Sequence, residues 1–341
     1  MGHTLFLDGY NLVIRNFAVN PVRRGTGHFG MVFGSLTSLR YTVDNFMPTK
    51  VVFCWDGEGS KELRREFYPE YKMQRDREPW NPDKKRAFPF KSKDEEHASF
   101  SEQLQRFREY LEKLPIHVID IDRTEADDII AHGAVYEYDN GNNVTIVSTD
   151  KDYIQLCRTD IEKRIACFNP ITKKTMTSEK FQKEHGFPVC NYLLVRAVEG
   201  DTSDNIAPIK RSLGLKKPFA ITEKTLLKSF PEIEGSNEIP WSDIVYDSKE
   251  KVDSDGLLVS ERSVYAALVD SADTLSMNYK LMDLENPLLT DDQKETVENI
   301  LDSGQSSFDR TKLRMMFRED KMTMQIKRWG YWIETFVRVK G

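Results

Sequence analysis

The chain has few cysteines, and none in motif spacing. Cys54, Cys157, Cys167 and Cys190 are scattered without a CxxC pair, which excludes a disulfide framework and reads as free, mostly buried thiols in a reducing compartment. No apolar run approaches the roughly 20 residues of a membrane span, so no membrane partner is expected. No targeting leader precedes the strand-like segment that begins at Thr4, and the expected compartment is the cytoplasm. The six histidines show no metal-ligand spacing, and His117 and His132 read as packed or surface residues. No Ser/His/Asp or Cys/His set stands out, which excludes catalysis by a side-chain nucleophile. Internal repeats and low-complexity tracts are absent. An excess of basic charge is missing too, since the formal net charge is -6. That balance does not exclude nucleic acid, because carboxylates neutralised by metals drop out of the effective charge. What matters is where the 49 Lys and Arg residues lie.

What the chain does have is a core and a set of acids. A hydrophobic content of 39% over 341 residues supports one large domain or two smaller ones, and 30% charged with 11% aromatic residues excludes disorder. Short apolar runs at Thr4–Leu7, Val51–Trp55, Ile116–Ile121 and Val144–Ser148 alternate with helical patterns at Met31–Asn45, Phe100–Leu114 and Glu125–Tyr138. This alternation predicts βαβ units and a parallel sheet. Asp8, Asp56, Asp150 and Asp152 fall just past strand ends, and Glu125, Asp127 and Asp128 open a helix beside another. Ligands of open α/β sheets bind beyond the carboxyl ends of the strands. Seven acids therefore share one rim, with Asp201 and Asp204 further along the chain. Crowded carboxylates take up protons or bind cations. Convergence of these nine would mean divalent metal ions and a nuclease-like phosphoryl hydrolase.

Each acidic constellation also has a plain structural reading. Thr124 can cap a helix whose first turn favours acids, but three acids in four positions exceed what capping needs. Glu125 and Asp128, spaced i,i+3, share a face that could bridge cations. The DxD of Asp150-Lys151-Asp152 could be a helix cap, and a phosphatase would carry it after its first strand, where this chain has Asp8-Gly9-Tyr10. Gly200-Asp201-Thr202-Ser203-Asp204-Asn205 alone would be a polar turn.

Between Gly57 and Phe100 basic residues interleave with Phe67, Tyr68, Tyr71, Trp80, Phe88 and Phe90, with Pro79, Pro82 and Pro89 breaking any long helix. A solvated loop is the plain reading; aromatic interleaving favours stacking on a single strand. A second basic segment holds Lys210, Arg211, Lys216 and Lys217. Gly235–Gly256 reads as an acidic polar loop, and helical patterns follow at Glu261–Val269, Asp291–Leu301 and Phe308–Phe336.

Five motifs stand in one order and spacing: Leu5-Phe6-Leu7-Asp8-Gly9, Val52-Phe53-Cys54-Trp55-Asp56-Gly57, Glu125-Ala126-Asp127-Asp128, Ser148-Thr149-Asp150-Lys151-Asp152 and Gly200-Asp201-Thr202-Ser203-Asp204-Asn205. With Arg64-Arg65, Pro69-Glu70-Tyr71-Lys72 and Arg75-Asp76, they resemble the 5′-nuclease (flap endonuclease) superfamily from Thr4 to Asn205, and within it the phage ribonuclease H or 5′→3′ exonuclease branch. The resemblance implies a PIN-like α/β domain with a central, mostly parallel sheet. It implies a catalytic domain over 1–200 with a helical arch at about 57–100, and a helical duplex-binding region over 201–341. It implies two Mg²⁺ ions, with Mn²⁺ able to substitute. Asp8, Asp56, Glu125, Asp127 or Asp128, and Asp150 match the ligands of the first ion, and Asp152, Asp201 and Asp204 those of the second. Lys72, Arg75, Asp128 and Asp150 match the catalytic positions. Arg64, Arg65, Tyr71, Lys72, Arg75, Lys210, Arg211, Lys216 and Lys217 are the expected nucleic-acid contacts.

The glycine pattern that accompanies a potassium site in the family is absent from Ile206 to Leu215, so potassium is not carried over. The implied activity is a structure-specific 5′ nuclease acting on flaps, nicked duplex DNA or RNA–DNA hybrids, removing primers or flaps in phage replication in the host cytoplasm. A monomer is expected, with a single-stranded-DNA-binding or clamp protein as the partner class for the tail. A PIN-type ribonuclease carries about four acids and no arch. A binding module with a degenerate site would have no reason to keep nine. A polymerase-fused exonuclease domain is not expected, since no polymerase region follows.

Overall fold

The computed structural model describes residues 2–77, 85–211, 219–252, 259–304, 308–322, 326 and 329–339. The four strand-like runs and three strands not expected from the sequence form one sheet: β1 (His3–Asp8), β2 (Lys50–Asp56), β3 (His117–Ile121), β4 (Asn143–Val147), and the further β5 (Arg158–Thr159), β6 (Arg164–Asn169) and β7 (Lys174–Met176). The order is β3-β2-β1-β4-β6-β5, and β7 also pairs with β6. The five long strands run parallel, while β5 and β7 add antiparallel to β6. The helices up to residue 200 are α1 (Gly9–Val19), α2 (Gly30–Phe46), α3 (Glu62–Phe67), α4 (Met73–Arg77), α5 (Lys93–Leu111), α6 (Ala126–Asp139), α7 (Ser178–His185) and α8 (Tyr192–Glu199).

Successive side chains of a strand point to opposite faces, and here both faces are buried. That is why the strands read as unbroken apolar runs rather than alternating ones. Leu5, Leu7, Val51, Phe53 and Trp55 pack with Leu12, Leu36 and Phe107, which come from α1, α2 and α5. Phe6, Val52, Cys54 and Ile119 pack with Ile129, Ile130 and Val195, from α6 and α8.

The chain beyond residue 200 feeds both layers. Leu313, Phe317, Trp332 and Phe336 join the α1–α2–α5 side. Leu268, Leu275, Val297 and Leu301 join the α6–α8 side. The division drawn at 200 and 201 therefore does not separate two hydrophobic cores. Asp320 pins the returning tail, accepting from Arg24 Nη1 at 2.7 Å, Arg106 Nε at 2.8 Å and the Tyr110 hydroxyl at 2.7 Å.

Two expected boundaries differ. Within the segment read as a polar loop, Trp241–Val252 is a helix that buries Ile244, Val245 and Ser248; its apolar face is too short for a clear periodicity. The helix read at Phe100–Leu114 begins instead at Lys93, where Ser92 caps it by accepting from Glu95 N at 3.1 Å. Among the described residues no helix is long and apolar enough to cross a membrane.

Candidate active site

The rim acids are positioned by strand ends and by backbone donors. Asp8 ends β1 and caps α1, accepting from Asn11 N at 3.0 Å. Asp56 ends β2 and accepts from Ala126 N at 2.7 Å, at the start of α6. The sequence places the α6 cap at Thr124. In the structure Glu125 holds that position without a side-chain cap bond, and Asp56 takes the exposed N–H from across the sheet. The glycine after each strand-end acid is a steric requirement: a Cβ on Gly57 would sit 1.9 Å from the Ile121 carbonyl oxygen, and one on Gly9 2.7 Å from that of Cys54. The Ser148 hydroxyl donates to Asp8 Oδ2 at 3.1 Å and accepts from Asp150 N at 3.1 Å, linking β1 to the loop after β4. Asp127 accepts from the buried Tyr153 hydroxyl at 2.6 Å.

The nine acids separate into two electrostatic sets. Among the described residues, the cleft's ion pairs fall on Glu125, Asp128, Asp152, Asp201 and Asp204, and none falls on Asp8, Asp56, Asp127 or Asp150. The unpaired set has its carboxyls shifted upward. Burial, with Asp56 adding repulsion, pushes Asp8 up to about 6. Burial also raises Asp56, with Glu125 adding repulsion. Asp127 is held well above the usual carboxylate range by burial, then by Asp150 and Asp8, against the pull of Lys72. Asp150 is pushed up to about 7 by burial of its carboxyl and by Asp152. As a residue it reaches solvent at the mouth of the cleft, so water moderates that push.

The paired set of five acids meets four cations of the protein, Arg64, Lys72, Arg75 and Arg196, and burial still raises Asp152 against the pull of Arg196. Burial alone would raise Glu125, but Lys72 and Arg64 hold it below its ordinary value. Lys72 Nζ lies 2.6 Å from Glu125 and 3.6 Å from Asp204. Arg64 Nη1 lies 2.6 Å from Glu125 and 2.7 Å from Asp128. Glu125 and Asp128 do share a face, but the cation on it is a guanidinium. Asp128 also accepts from Leu288 N at 3.0 Å, and it is 1% exposed. The structure places Asp128, expected as a metal ligand and catalytic acid, as a buried partner of Arg64. Arg196 donates to Asp152 at 2.9 Å and to Asp201 at 2.7 Å. Arg75 pairs with Asp204.

The stretch of the expected arch from Glu70 to Arg75 lies against the 201–205 turn. Lys72 N donates to the Asp204 carbonyl at 2.9 Å, and the Asn205 amide donates to the Glu70 carbonyl at 2.9 Å. Lys72 and Asn205 both adopt positive φ, 52° and 63°, and for a lysine this is strained backbone that the surrounding contacts must hold. Arg64, Tyr71 and Lys72 are buried among these acids rather than presented to solvent. Expected as nucleic-acid contacts, they stand here as counter-ions and donors to the cleft acids. Arg65 donates from Nε to the Tyr71 carbonyl.

The aromatic residues of this segment pack rather than wait for bases. Phe88 and Phe90 lie against His28 and Phe17, and Phe67, Tyr68 and Tyr71 pack near Leu193 and Leu281. Trp80, Lys216 and Lys217 lie outside the described residues. Lys210 and Arg211 stand on a short ribbon with Phe219–Ala220.

Divalent ions fit the unpaired set by donor chemistry: four hard carboxylates with raised proton affinity, each oriented by at least one protein donor. Among the described residues, no group of three or more acids is already close enough to hold a metal ion. The arrangement of side chains here is the one that like charges adopt when arginines and lysines do the neutralising.

Two residues of the site escape sequence reading. Tyr153 directly follows the DxD, and an apolar-looking ring there is ordinary core. Arg196 is the lone cation of an otherwise apolar helix, five residues before Asp201. That isolation was the available signal.

Residues 3–186, more than half of the chain, match the family model described as 5'-3' exonuclease, N-terminal resolvase-like domain. A 5'-3' exonuclease of Buchnera aphidicola subsp. Schizaphis graminum is 29% identical over 226 residues, covering 66% of this chain and 66% of that protein. A 5'-3' exonuclease of Bacillus subtilis is 29% identical over 237 residues, covering 67% of this chain and 70% of that protein. The fold is shared with the bacteriophage T5 flap endonuclease, solved in complex with DNA and metal ions. That structure has a TM-score of 0.65 and 19% identity, covering 88% of this chain and 98% of that one. With its PIN-like sheet, its acids on one rim and this match across residues 3–186, the chain belongs to the 5'-3' exonuclease family.

Proposed function

We propose that this chain is a structure-specific 5′ nuclease that hydrolyses phosphodiesters near the 5′ end of flaps, nicked duplex DNA or RNA–DNA hybrids. The observation that carries this reading is the set Asp8, Asp56, Asp127 and Asp150. It lies at the carboxyl end of a parallel sheet, crowded, and among the described residues no cation is ion-paired with it; the pull of Lys72 on Asp8, Asp56 and Asp127 leaves their carboxyls raised. Repulsion of that kind is relieved by binding divalent cations. Mg²⁺ is the expected ion and Mn²⁺ a substitute, with Asp8, Asp56, Asp127 and Asp150 holding the first and Asp152, Asp201 and Asp204 the second. When bound, such ions supply a water nucleophile at neutral pH and Lewis-acid stabilisation of the phosphodiester.

The chain's own residues do the positioning. Ser148 fixes Asp8 and the Asp150 backbone in one geometry. Lys72 stands between Glu125 and Asp204, where its charge can stabilise a phosphate gaining negative charge. Arg75 is half exposed on the same turn and can exchange Asp204 for a phosphate oxygen. Removal of primers or flaps during phage replication is the role this activity would serve.

The test is cleavage of a 5′-labelled flap and of an RNA–DNA hybrid, with Mg²⁺ and with EDTA. Magnesium-dependent release of short products from the 5′ end is the expected result. Retained binding without cleavage in either Mg²⁺ or Mn²⁺ would overturn the nuclease reading and leave a module that recognises structure.

A further inference from the structure

α8 buries Tyr192, Leu193, Leu194, Val195, Ala197 and Val198, and its one cation is Arg196. That guanidinium spans two acids from different elements. Nε lies 2.9 Å from Asp152, in the turn after β4, and Nη2 lies 2.7 Å from Asp201, beyond the helix end. Bridging two carboxylates from separate segments is what a divalent ion would do at this place. The third acid there, Asp204, is paired with Arg75. This end therefore sets three acids against two arginines, with Lys72, shared with Glu125, 3.6 Å from Asp204. At the other end none of the four acids is ion-paired among the described residues, and Lys72, bonded to Glu125, is the nearest counter-charge to Asp127 named in the cleft. A hollow of about 340 Å³ lies beside the bridge, lined by Arg196, Glu199, Asp201 and Thr222. It offers the guanidinium space away from Asp152, with a carboxylate, Glu199, on its wall.

We propose that Arg196 is the resident cation of the second ion position, so that the chain holds one divalent ion tightly and admits a second only when this side chain is displaced towards the hollow. The inference rests on the two-ion reading above and adds an internal competitor to it. The two positions then differ in affinity because one must expel a tethered charge and the other need not. The tether also keeps Asp152 and Asp201 together when no second ion is bound.

The test is Mn²⁺ binding to the full chain, followed by the electron paramagnetic resonance signal of the free ion. The wild-type chain is expected to bind one ion tightly and a second about tenfold or more weakly. Arg196→Gln removes the charge and leaves a shorter side chain that can still donate hydrogen bonds. It should strengthen the second affinity by about tenfold and leave the first unchanged, the range by which groups beside metal ligands usually act. Arg196→Lys, a point charge unable to span both acids, should fall between, and it carries the test if the glutamine variant does not fold.

A second affinity unchanged by either substitution would overturn the role of Arg196 while leaving the first ion in place. Two equally tight ions in the wild-type chain would do the same. No bound ion in the wild-type chain would overturn the metal reading itself and the inference with it. Asp150→Asn separates these cases, because it should weaken the first ion and not the second.

Discussion

Arg64 reaches Asp128 with both terminal guanidinium nitrogens, at 2.7 and 3.0 Å, and both residues are buried. The same Nη1 touches Glu125, so one arginine neutralises two acids of the helix start. Arg64→Ala would strip buried Asp128 of its cation and leave Glu125 to Lys72 alone, and breaking a buried pair in this way costs about 3–5 kcal/mol. Arg64→Lys should recover only part of that, since an ammonium cannot make the forked contact. Chemical unfolding of the three proteins without metal measures the difference.

Asp128→Asn follows from the same contact. It should lower stability by about 1–3 kcal/mol, and folded protein should retain far more cleavage than Asp150→Asn. Equal loss of turnover at matched folded fraction would return Asp128 to the catalytic set.

Asp8, Asp56, Asp127 and Asp150 hold protons more tightly folded than unfolded, with Asp8 shifted to about 6 and Asp150 to about 7. Their contribution to stability is therefore lost as pH rises from the ordinary carboxylate range near 4 towards 7. Glu125 and Asp201 are shifted downward, so theirs is lost as pH falls below that range. The metal-free chain should melt highest in mildly acidic buffer and progressively lower towards pH 8. Magnesium should abolish the alkaline decline. Thermal melts across this range with and without Mg²⁺ give the answer, and a metal-free melting temperature that rises with pH would contradict the assignment.

The Tyr153 hydroxyl is the donor that orients Asp127. Tyr153→Phe keeps the buried ring and removes that bond. The Mg²⁺ concentration for half-maximal cleavage should rise about tenfold, as when a hydrogen-bond partner of a metal ligand is lost. An unchanged metal requirement would show that Asp127 needs no such support.

Asp320 joins Arg24, Arg106 and Tyr110 to the tail. Asp320→Ala leaves Arg24 to Glu102 and Arg106 to Glu109 and Glu319, and deprives the Tyr110 hydroxyl of its acceptor, a loss of about 1–3 kcal/mol. Truncation before Phe308 should expose the α2–α5 surface that Phe317 and Trp332 cover, read as increased binding of an apolar dye. A truncated chain that melts like the full one would refute this packing role.

Four of the five long strands, their parallel sense and the rim of acids follow from local sequence, while the Arg164–Asn169 strand and the strand order do not. A β-branched run closed by Asp-Gly must end where a glycine permits close approach, as Gly57 does against Ile121. Runs apolar on every residue must be covered on both faces. Those constraints act within a few residues, so they can be read directly.

Which of the nine acids stay without a partner was decided only by tertiary structure. Arg24 meets Asp320 across 296 residues, and Arg64 meets Asp128 across 64. Nothing local distinguishes Arg64, buried as a counter-ion, from a lysine or arginine left free for phosphate. The same holds for Phe88 and Phe90, whose spacing suits base stacking but whose rings are already packed on His28 and Phe17. By itself the sequence determined where negative charge would gather, because strand ends and helix starts are set by short-range sterics and hydrogen bonding. The tertiary structure decided how that charge is balanced, because Coulomb pairing depends on distances that only the folded chain brings down to a few ångströms.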